Sequence, residues 1–148
     1  MIRRLHPWEL SDVIPIAREF HGLAQLGGEF DEANFLAHLN RFRMDGKLYA
    51  VGSYIEDRLV GALVGILAPH FMCRIFLAQE LFWYVMPEHR AGSESLRMVK
   101  DFEAWARERK AFACIMATFH NADPDQRLPA VFERLGFPAI ETHHFKPL

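Results

Sequence analysis

One carboxylate, Glu80, interrupts a mainly apolar run that extends from Leu77 to Trp83. A carboxyl group in such surroundings loses hydration, which raises its pKa towards the range in which a general base operates. The sequence leaves a second interpretation open, in which Glu80 lies at an edge and points into solvent or pairs with an arginine such as Arg74. Glu80 is therefore the first candidate for acid–base chemistry, and its burial decides between the two interpretations.

The segment from Val85 to Leu96 has the composition of an anion-binding turn. An apolar strand ends at Pro87, and a turn of small residues leads into an amphipathic helix. The first N–H groups of a helix lack internal partners, and the helix dipole favours an anion there. Arg90 adds a positive charge. The alternatives are a phosphate cradle and an ordinary turn with a solvated arginine, and Glu94 favours the second unless its side chain points away.

Other motifs that carry chemistry are absent from the sequence. His143 and His144 are adjacent on a predicted strand, so they point to opposite faces and are poorly placed to share an ion. There is no HExxH motif or Cys/His cluster, so we expect no metal. The GxSxG and GxxxxGK[ST] motifs of hydrolases and nucleotide-binding enzymes are also lacking. His120, at the end of a predicted strand, is a secondary acid–base candidate.

Composition limits the partners. Of the 148 residues, 51% are hydrophobic and 24% are charged, and the formal net charge is -2. This balance gives no electrostatic reason to expect nucleic acid or an anionic membrane. The apolar stretch 59–71 is shorter than the roughly 20 residues of a spanning helix, the N-terminus has no apolar signal segment, and both cysteines are expected to be reduced core residues. We expect a cytoplasmic protein with one domain over residues 1–148.

Hydrophobic periodicity predicts the elements that position these residues. The predicted helices are 8–23, 31–42, 93–110 and 125–135, and the predicted strands are 2–5, 47–55, 59–68, 75–86, 112–119 and 139–146. The short polar turn 56–58 indicates an antiparallel hairpin, and the strand–helix–strand unit from 75 to 119 indicates a parallel right-handed crossover. The expected fold class is α/β (α+β), with a mixed, mostly antiparallel sheet and helices on both faces.

This element order and two sequence patterns resemble the GNAT superfamily of N-acetyltransferases over nearly the whole chain. That family carries a Q/R-x-x-G-x-G/A loop between its fourth strand and third helix. Arg90 matches the first loop position, but Ser93 and Ser95 occupy the two glycine positions. Gly92 falls one place early, so the loop is degenerate. The run from Phe132 to Phe137 matches the family's aromatic-x-x-x-Gly-Phe signature.

The resemblance implies acetyl-CoA as the acyl donor. Its pyrophosphate would lie on the backbone N–H groups of the loop residues Ala91, Gly92, Ser93, Glu94 and Ser95. The strand before the loop is splayed by a bulge in the family, so the backbone groups of Trp83, Tyr84 and Val85 would pair with the pantetheine arm. The alternative for Trp83 and Val85 is a place in the core, and the two interpretations are compatible. Asn121 lies where the family often places a polar residue on the cofactor. The alternative is a loop-starting asparagine before Asp123 and Pro124.

The resemblance also implies catalytic roles. A strand-four glutamate at the position of Glu80 takes the proton from the acceptor amine in many members, often through water. Phe132 departs from the family, which often has a tyrosine there as general acid to the thiolate. Phenylalanine cannot donate a proton, and Tyr84 is a substitute candidate.

The implied activity is transfer of acetyl from acetyl-CoA to a primary amine by positioning, removal of one proton and polarisation of the carbonyl. The degenerate loop and Phe132 favour a second hypothesis, a non-catalytic GNAT-like domain that binds CoA or a protein. A structural domain that binds no CoA is the third. Four acidic residues on or beside the first two helices either attract a cationic amine or form a solvated helix surface: Glu19, Glu29, Asp31 and Glu32.

The last predicted strand indicates an oligomer. GNAT chains usually finish with two strands after the Gly-Phe signature, whereas the residues after Phe137 suffice for one. An exposed sheet edge tends to be covered or paired. We expect a homodimer in which residues 140–145 or the neighbouring cleft meet a second chain. The alternative is a monomer whose edge is covered by the loop 22–28.

Overall fold

A computed structural model describes residues 1–25, 27–90 and 92–148, and in it the chain forms a sheet of five strands that follow one another across the sheet in chain order. The strands are β1 (Ile2–Arg4), β2 (Leu48–Ile55), β3 (Arg58–Pro69), β4 (Phe76–Val85) and β5 (Ala113–Ile115). The first four strands pair antiparallel with their neighbours, and β5 pairs parallel with β4. The expectation of a mixed, mostly antiparallel sheet is confirmed.

In the described part of the chain, four α-helices cover the sheet: α1 (Ile14–Ala24), α2 (Glu32–Met44), α3 (Glu94–Glu108) and α4 (Leu128–Arg134). The predicted first helix is shorter than expected, because residues 7–13 form a 3-10 helix and Pro15 lies in the first turn of α1. Proline fits that position since the N–H it lacks has no helical partner there. Asp31 caps α2 by accepting a hydrogen bond from the Asn34 N–H at 2.9 Å. None of the helices in the described residues is both long and apolar enough to cross a membrane.

Two apolar clusters hold the helices on opposite faces of the sheet. On one face α1 and α2 pack on β2, β3 and β4 through buried residues that include Ile16, Leu39, Val64 and Phe82. On the other face the α3 cluster includes Leu63, Phe102 and Trp105. The helical stripes predicted from sequence therefore meet the sheet from both sides.

The C-terminal third differs from the prediction. The strand predicted over 112–119 is only three residues long, because β4 offers it a partner only from Leu77 to Gln79. The strand predicted over 139–146 does not form, and Ile140 is 87% exposed. A strand of this composition needs a partner edge, and no described residue pairs with this segment. Cys73 was expected in the core but is exposed, whereas Cys114 is half-buried, and both are free thiols.

Gly65 of β3 allows close packing of α3, which generates a stability prediction. A Cβ at this position would lie 2.7 Å from Cε2 of the Phe102 ring and 3.0 Å from the Gln79 carbonyl oxygen. Gly65→Ala should lower the free energy of unfolding by about 1–3 kcal/mol, because the ring or the strand must move. Thermal unfolding would show this as a fall of several degrees in Tm.

The matched control is Gly22→Ala in α1, where an added Cβ meets nothing within 4 Å. This variant should keep or raise Tm, because alanine has the higher helix propensity. Equal Tm values for the two variants would contradict the packing account.

Candidate active site at the β4–β5 gap

A β-bulge separates the second half of β4 from β5. Successive pairs of the β3–β4 ladder are Val64–Phe82 and Gly65–Glu80, so Leu81 is an extra residue in β4. The bulge changes the face of the strand, since Ala78 belongs to the α3 cluster and Phe82 to the α1–α2 cluster. Pairing with β5 stops at Gln79, just before the bulge. We call the space between residues 80–85 and the chain that follows β5 the β4–β5 gap.

Along the edge of β4 that faces the gap, the main-chain groups of Trp83 and the Val85 N–H have no hydrogen-bond partner among the described residues. The Met86 N–H donates to the Val60 carbonyl at 2.9 Å, so Met86 bonds towards β3. Hydrogen-bonded pairs alternate along an antiparallel ladder, so the main-chain groups of Trp83 and Val85 point away from β3, towards the gap. The main-chain groups of Tyr84 point back to β3. The Val85 carbonyl accepts from Arg90 Nε at 2.7 Å, so Arg90 folds back on this edge.

Glu80 lies at the closed end of the gap. Glu80 is 7% exposed, and its Oε2 accepts a hydrogen bond from the Ala117 N–H at 3.1 Å. Burial raises the pKa of Glu80 to about 7, and the hydrogen bond from Ala117 partly opposes that rise. The carboxylate thus bridges β4 and the chain beyond β5. The alternative in which Glu80 points into solvent is therefore wrong. Among the described residues, Glu80 forms no ion pair with Arg74 either.

Tyr84 links β4 to α1. Its hydroxyl donates to Glu19 Oε1 at 2.8 Å, and the Arg90 guanidinium lies 5.0 Å from the centre of its ring. Burial, followed by the bond to Glu19, raises the pKa of Tyr84 to about 12. A phenol with this pKa, already bonded to a carboxylate, is a poor proton donor to a thiolate. The geometry favours a positioning role for Tyr84 over the acid role considered from sequence.

The start of α3 has the open N–H groups of an uncapped helix. The Ser93 side chain makes no capping bond within the described residues. The first helical bond to this turn runs from the Arg97 N–H to the Ser93 carbonyl at 3.0 Å. The N–H groups of Glu94 and Ser95 precede this bond, so they lack helical acceptors. These groups and the dipole of a 15-residue helix form a site for negative charge.

Glu94 does not obstruct that site. Its Oε2 lies 2.7 Å from the Met1 amino group and 3.1 Å from the Ser53 hydroxyl. The hydrogen bond from the amino group, supported by that from Ser53, lowers the pKa of Glu94. The side chain therefore points to β2. A Cβ on Gly92 would meet only the Glu94 nitrogen, at 3.9 Å, so the turn has open space. Ala91, also predicted here, lies outside the described residues.

Asn121 is directed to α1. Its Nδ2 donates to the Ala24 carbonyl at 3.4 Å and lies 3.5 Å from Gln25 Oε1. It belongs to a 3-10 helix at residues 120–122, which favours the interpretation of a loop-starting asparagine. His120 in the same turn is exposed.

Three of the four acidic residues near the first two helices already have partners. Glu19 accepts from Tyr84, Asp31 caps α2, and Glu32 pairs with Arg18. Glu29 is exposed. These contacts favour a structural helix surface over a cation-attracting patch. No group of three or more His, Cys, Asp or Glu residues is arranged to hold a metal ion within residues 1–25, 27–90 and 92–148.

Phe132 of α4 is buried and packs on β4. It is 4% exposed, and its ring centre lies 5.7 Å from that of Trp83. The indole Nε1 of Trp83 is buried without a hydrogen-bond partner among the described residues. The sequence left two interpretations of Trp83 open, a core residue and a backbone partner for a ligand, and this packing agrees with the first without excluding the second. The contact with α4 itself could not be predicted, because no local pattern reports it.

The buried carboxyl of Glu80 generates a pH prediction. Its pKa is about 7 in the folded chain against an ordinary value of 4.5. The folded state binds the proton more tightly, so this group's contribution to stability is lost as pH rises from about 4.5 through 7. Glu80→Gln keeps an oxygen acceptor for Ala117 and removes the ionisation. Between pH 5 and pH 8, the free energy of unfolding of this variant relative to wild type should rise by up to about 3 kcal/mol, and its Tm relative to wild type should rise with it.

Thermal unfolding at pH 5, 6, 7 and 8 measures the difference. The exposed Glu108→Gln change in α3 serves as the control and should give a constant difference. A constant difference for Glu80→Gln as well would show that Glu80 is not held in a desolvated site.

Comparisons with known proteins give matches only at the level of structure. No family model matches the chain, and no curated protein matches its sequence. A ribosomal-protein-alanine N-acetyltransferase from Brucella melitensis biovar Abortus 2308 is 17% identical with a TM-score of 0.73, and the match covers 100% of this chain and 96% of that one. A predicted acetyltransferase from Clostridium acetobutylicum, solved with acetyl-CoA, is 13% identical with a TM-score of 0.77, covering 100% and 94%.

A third match is an aminoglycoside antibiotic 6'-N-acetyltransferase from Acinetobacter haemolyticus, 16% identical with a TM-score of 0.70, covering 100% of this chain and 97% of that one. Identities this low establish the fold and leave the reaction to be argued from the site. The similarity extends over the full chain, so the resemblance found in the sequence is confirmed at the level of fold: this protein has the GNAT fold of N-acetyltransferases.

Proposed function

We propose that residues 1–148 act as one cytoplasmic domain that transfers acetyl from acetyl-CoA to a primary amine. The observation that carries the proposal is the free edge of β4 in the β4–β5 gap, which lies between a buried carboxylate and an uncapped helix start. A protein of the same fold was solved with acetyl-CoA. An acetyl-CoA-dependent transferase needs a groove for an extended arm, a site for phosphates and a proton acceptor, and this region supplies candidates for all three.

The residues at the gap fit an extended ligand with an anionic end. The main-chain groups of Trp83 and Val85 would pair with amides of the ligand arm as a strand adds to a sheet edge. In the unliganded chain Arg90 Nε donates to the Val85 carbonyl. An amide of the ligand arm would take over this hydrogen bond, and the Arg90 guanidinium would then be free to bind the phosphates. The N–H groups of Glu94 and Ser95 would hold the phosphates at the start of α3.

Bound acetyl-CoA supplies a thioester whose carbonyl carbon is open to attack by an amine. The contribution of Glu80 is to accept the proton that the amine loses, directly or through one water. Burial raises its pKa to about 7, which brings the carboxylate into the range of a general base near neutral pH. Its Oε2 is fixed by Ala117, so the second carboxylate oxygen is the one that would accept the proton.

A non-catalytic CoA-binding or protein-interaction domain is the second candidate. Two observations favour it: Phe132 has no hydroxyl, and Ser93 and Ser95 replace the loop glycines. This candidate and the transferase both bind CoA, but only the transferase releases free thiol when an acceptor is present. A panel of amines, with thiol release as the readout, separates the two and identifies the acceptor class.

Binding of CoA is the first prediction from this proposal. CoA at about 100 times its Kd should add about 2.7 kcal/mol to the free energy of unfolding and raise Tm by several degrees. Gly92→Asp should abolish the shift, because it places a side chain and a negative charge at the start of α3. Gly46→Asp introduces the same charge in a turn at the opposite end of the sheet, where φ is +67°, and it should leave the shift intact. No shift in the wild-type protein at millimolar CoA would remove the proposal.

The second prediction concerns the rate. Glu80→Gln should lower acetyl transfer at neutral pH by about 10²–10⁴-fold if the carboxylate acts as general base, and it should weaken CoA binding much less. The loss should shrink at higher pH, because more of the amine is then already neutral. An unchanged rate with a competent acceptor would exclude this role of Glu80.

The third prediction concerns assembly. The outer edge of β5 has no partner strand among the described residues, and the side chains of Ile140 and Phe145 are 87% and 65% exposed. Open edges and apolar surface tend to be covered, so we propose a homodimer through this edge and residues 139–148. Light scattering at micromolar concentration should give about twice the 17.2 kDa of one chain. A mass of one chain at all concentrations would rule the dimer out.

A further inference from the structure

The indole N–H of Trp83 is a hydrogen-bond donor that the chain itself does not use. Its Nε1 is buried and has no acceptor among the described residues. Most buried donors in native proteins have a partner, so an orphaned donor calls for an explanation. Tryptophan can only donate at this atom, and the missing partner must therefore be an acceptor.

The position of Trp83 points to the acceptor that is missing. Trp83 lies in the half of β4 that has separated from β5, and its main chain faces the β4–β5 gap. Its side chain packs against the α3 cluster and touches the Phe132 ring of α4. The second orphaned polar atom, the Tyr54 hydroxyl, lies on β2 beneath Arg3. Of the two atoms, only the indole belongs to the strand that borders the gap.

The aromatic side chains that α4 and the residues just after it bring to the indole carry no polar group. Phe132 and Phe137, which pack together at 6.0 Å between ring centres, are both hydrocarbon rings. A ligand group that reaches this layer therefore meets one side-chain donor from Trp83 and an apolar wall from α4. Such a site suits a weakly hydrated acceptor, such as sulfur, better than a strongly hydrated oxygen anion.

We propose that the Trp83 indole N–H donates to the sulfur of the acyl-CoA thioester, an inference that rests on the proposed function. The N–H stabilises the sulfur while the carbon–sulfur bond breaks and the amine nitrogen bonds to the carbonyl carbon. The sulfur leaves with the electron pair of that bond, and the amine proton passes to Glu80 or water. The indole keeps its own proton, and the thiolate is protonated by solvent. Trp83 thus supplies a hydrogen-bond donor to the leaving sulfur in a site where Phe132 has no proton to donate.

Indole resonances test this assignment without turnover. The chain has three tryptophans, and a ¹⁵N–¹H spectrum resolves each indole N–H. CoA should move the Trp83 signal downfield and leave Trp8 and Trp105 unchanged. Desulfo-CoA, which has the same arm without the sulfur, should bind without that downfield shift. The same shift with both ligands, or no shift although CoA raises Tm, would overturn the sulfur assignment. Failure of CoA to raise Tm would instead defeat the proposed function.

Kinetics give an independent test. Trp83→Phe keeps an aromatic ring and removes the N–H, so kcat should fall about tenfold or more while KM for acetyl-CoA changes little. Trp105→Phe is the matched control, because it makes the same change within the α3 cluster, and its kcat should stay at the wild-type value. Phe132→Tyr should restore part of the rate in the Trp83→Phe background by returning a donor to the layer. An equal kcat in the two single variants, or no recovery with Phe132→Tyr, would contradict the proposal.

Discussion

The extra residue in β4, Leu81, is the constraint on which the rest of the site depends. Without a bulge, β4 would continue beside the chain that follows β5, and the main-chain groups of β4 would be hydrogen-bonded to that chain. With the bulge, pairing ends at Gln79 and the next residues turn away. The insertion also shifts the side-chain alternation, which places Phe82 and Tyr84 under α1 and Trp83 towards α3 and α4. One backbone irregularity thereby opens an edge and decides what lies on each side of it.

The two sides of the gap have different chemistry. On the α1 side, Tyr84 and Glu19 form a hydrogen bond that ties the strand to the helix, and Arg90 extends this link to the end of β4. On the α4 side, the Trp83 indole packs against the Phe132 ring, and its Nε1 has no hydrogen-bond partner among the described residues. Glu80 closes the gap between them by bonding to Ala117. A buried carboxylate held by a main-chain N–H on the opposing segment is consistent with the proposed role of proton acceptor.

Much of the fold could be predicted from sequence, because long apolar patterns decide it. The α3 stripe, the β2–β3 hairpin and β4 lie within one or two residues of their predicted bounds. The prediction of a strand at 139–146 was wrong, because a strand needs a partner edge and the local sequence does not report one. The direction of Glu94 was undecidable for the same reason, since Ser53 lies 41 positions earlier in the chain. The burial of Glu80 could be suspected from its apolar flanks, but the bond to Ala117 and the orphaned indole depend on tertiary packing.

Amide hydrogen exchange across β4, with and without CoA, tests the central claim most directly. CoA should slow exchange at Trp83 and Val85, whose N–H groups face the gap, and should leave Phe82 and Tyr84 nearly unchanged, because β3 already protects them. This alternation is specific to a ligand that adds to the strand edge. Slowing of all four amides to the same extent, or of none while CoA is bound, would contradict the account.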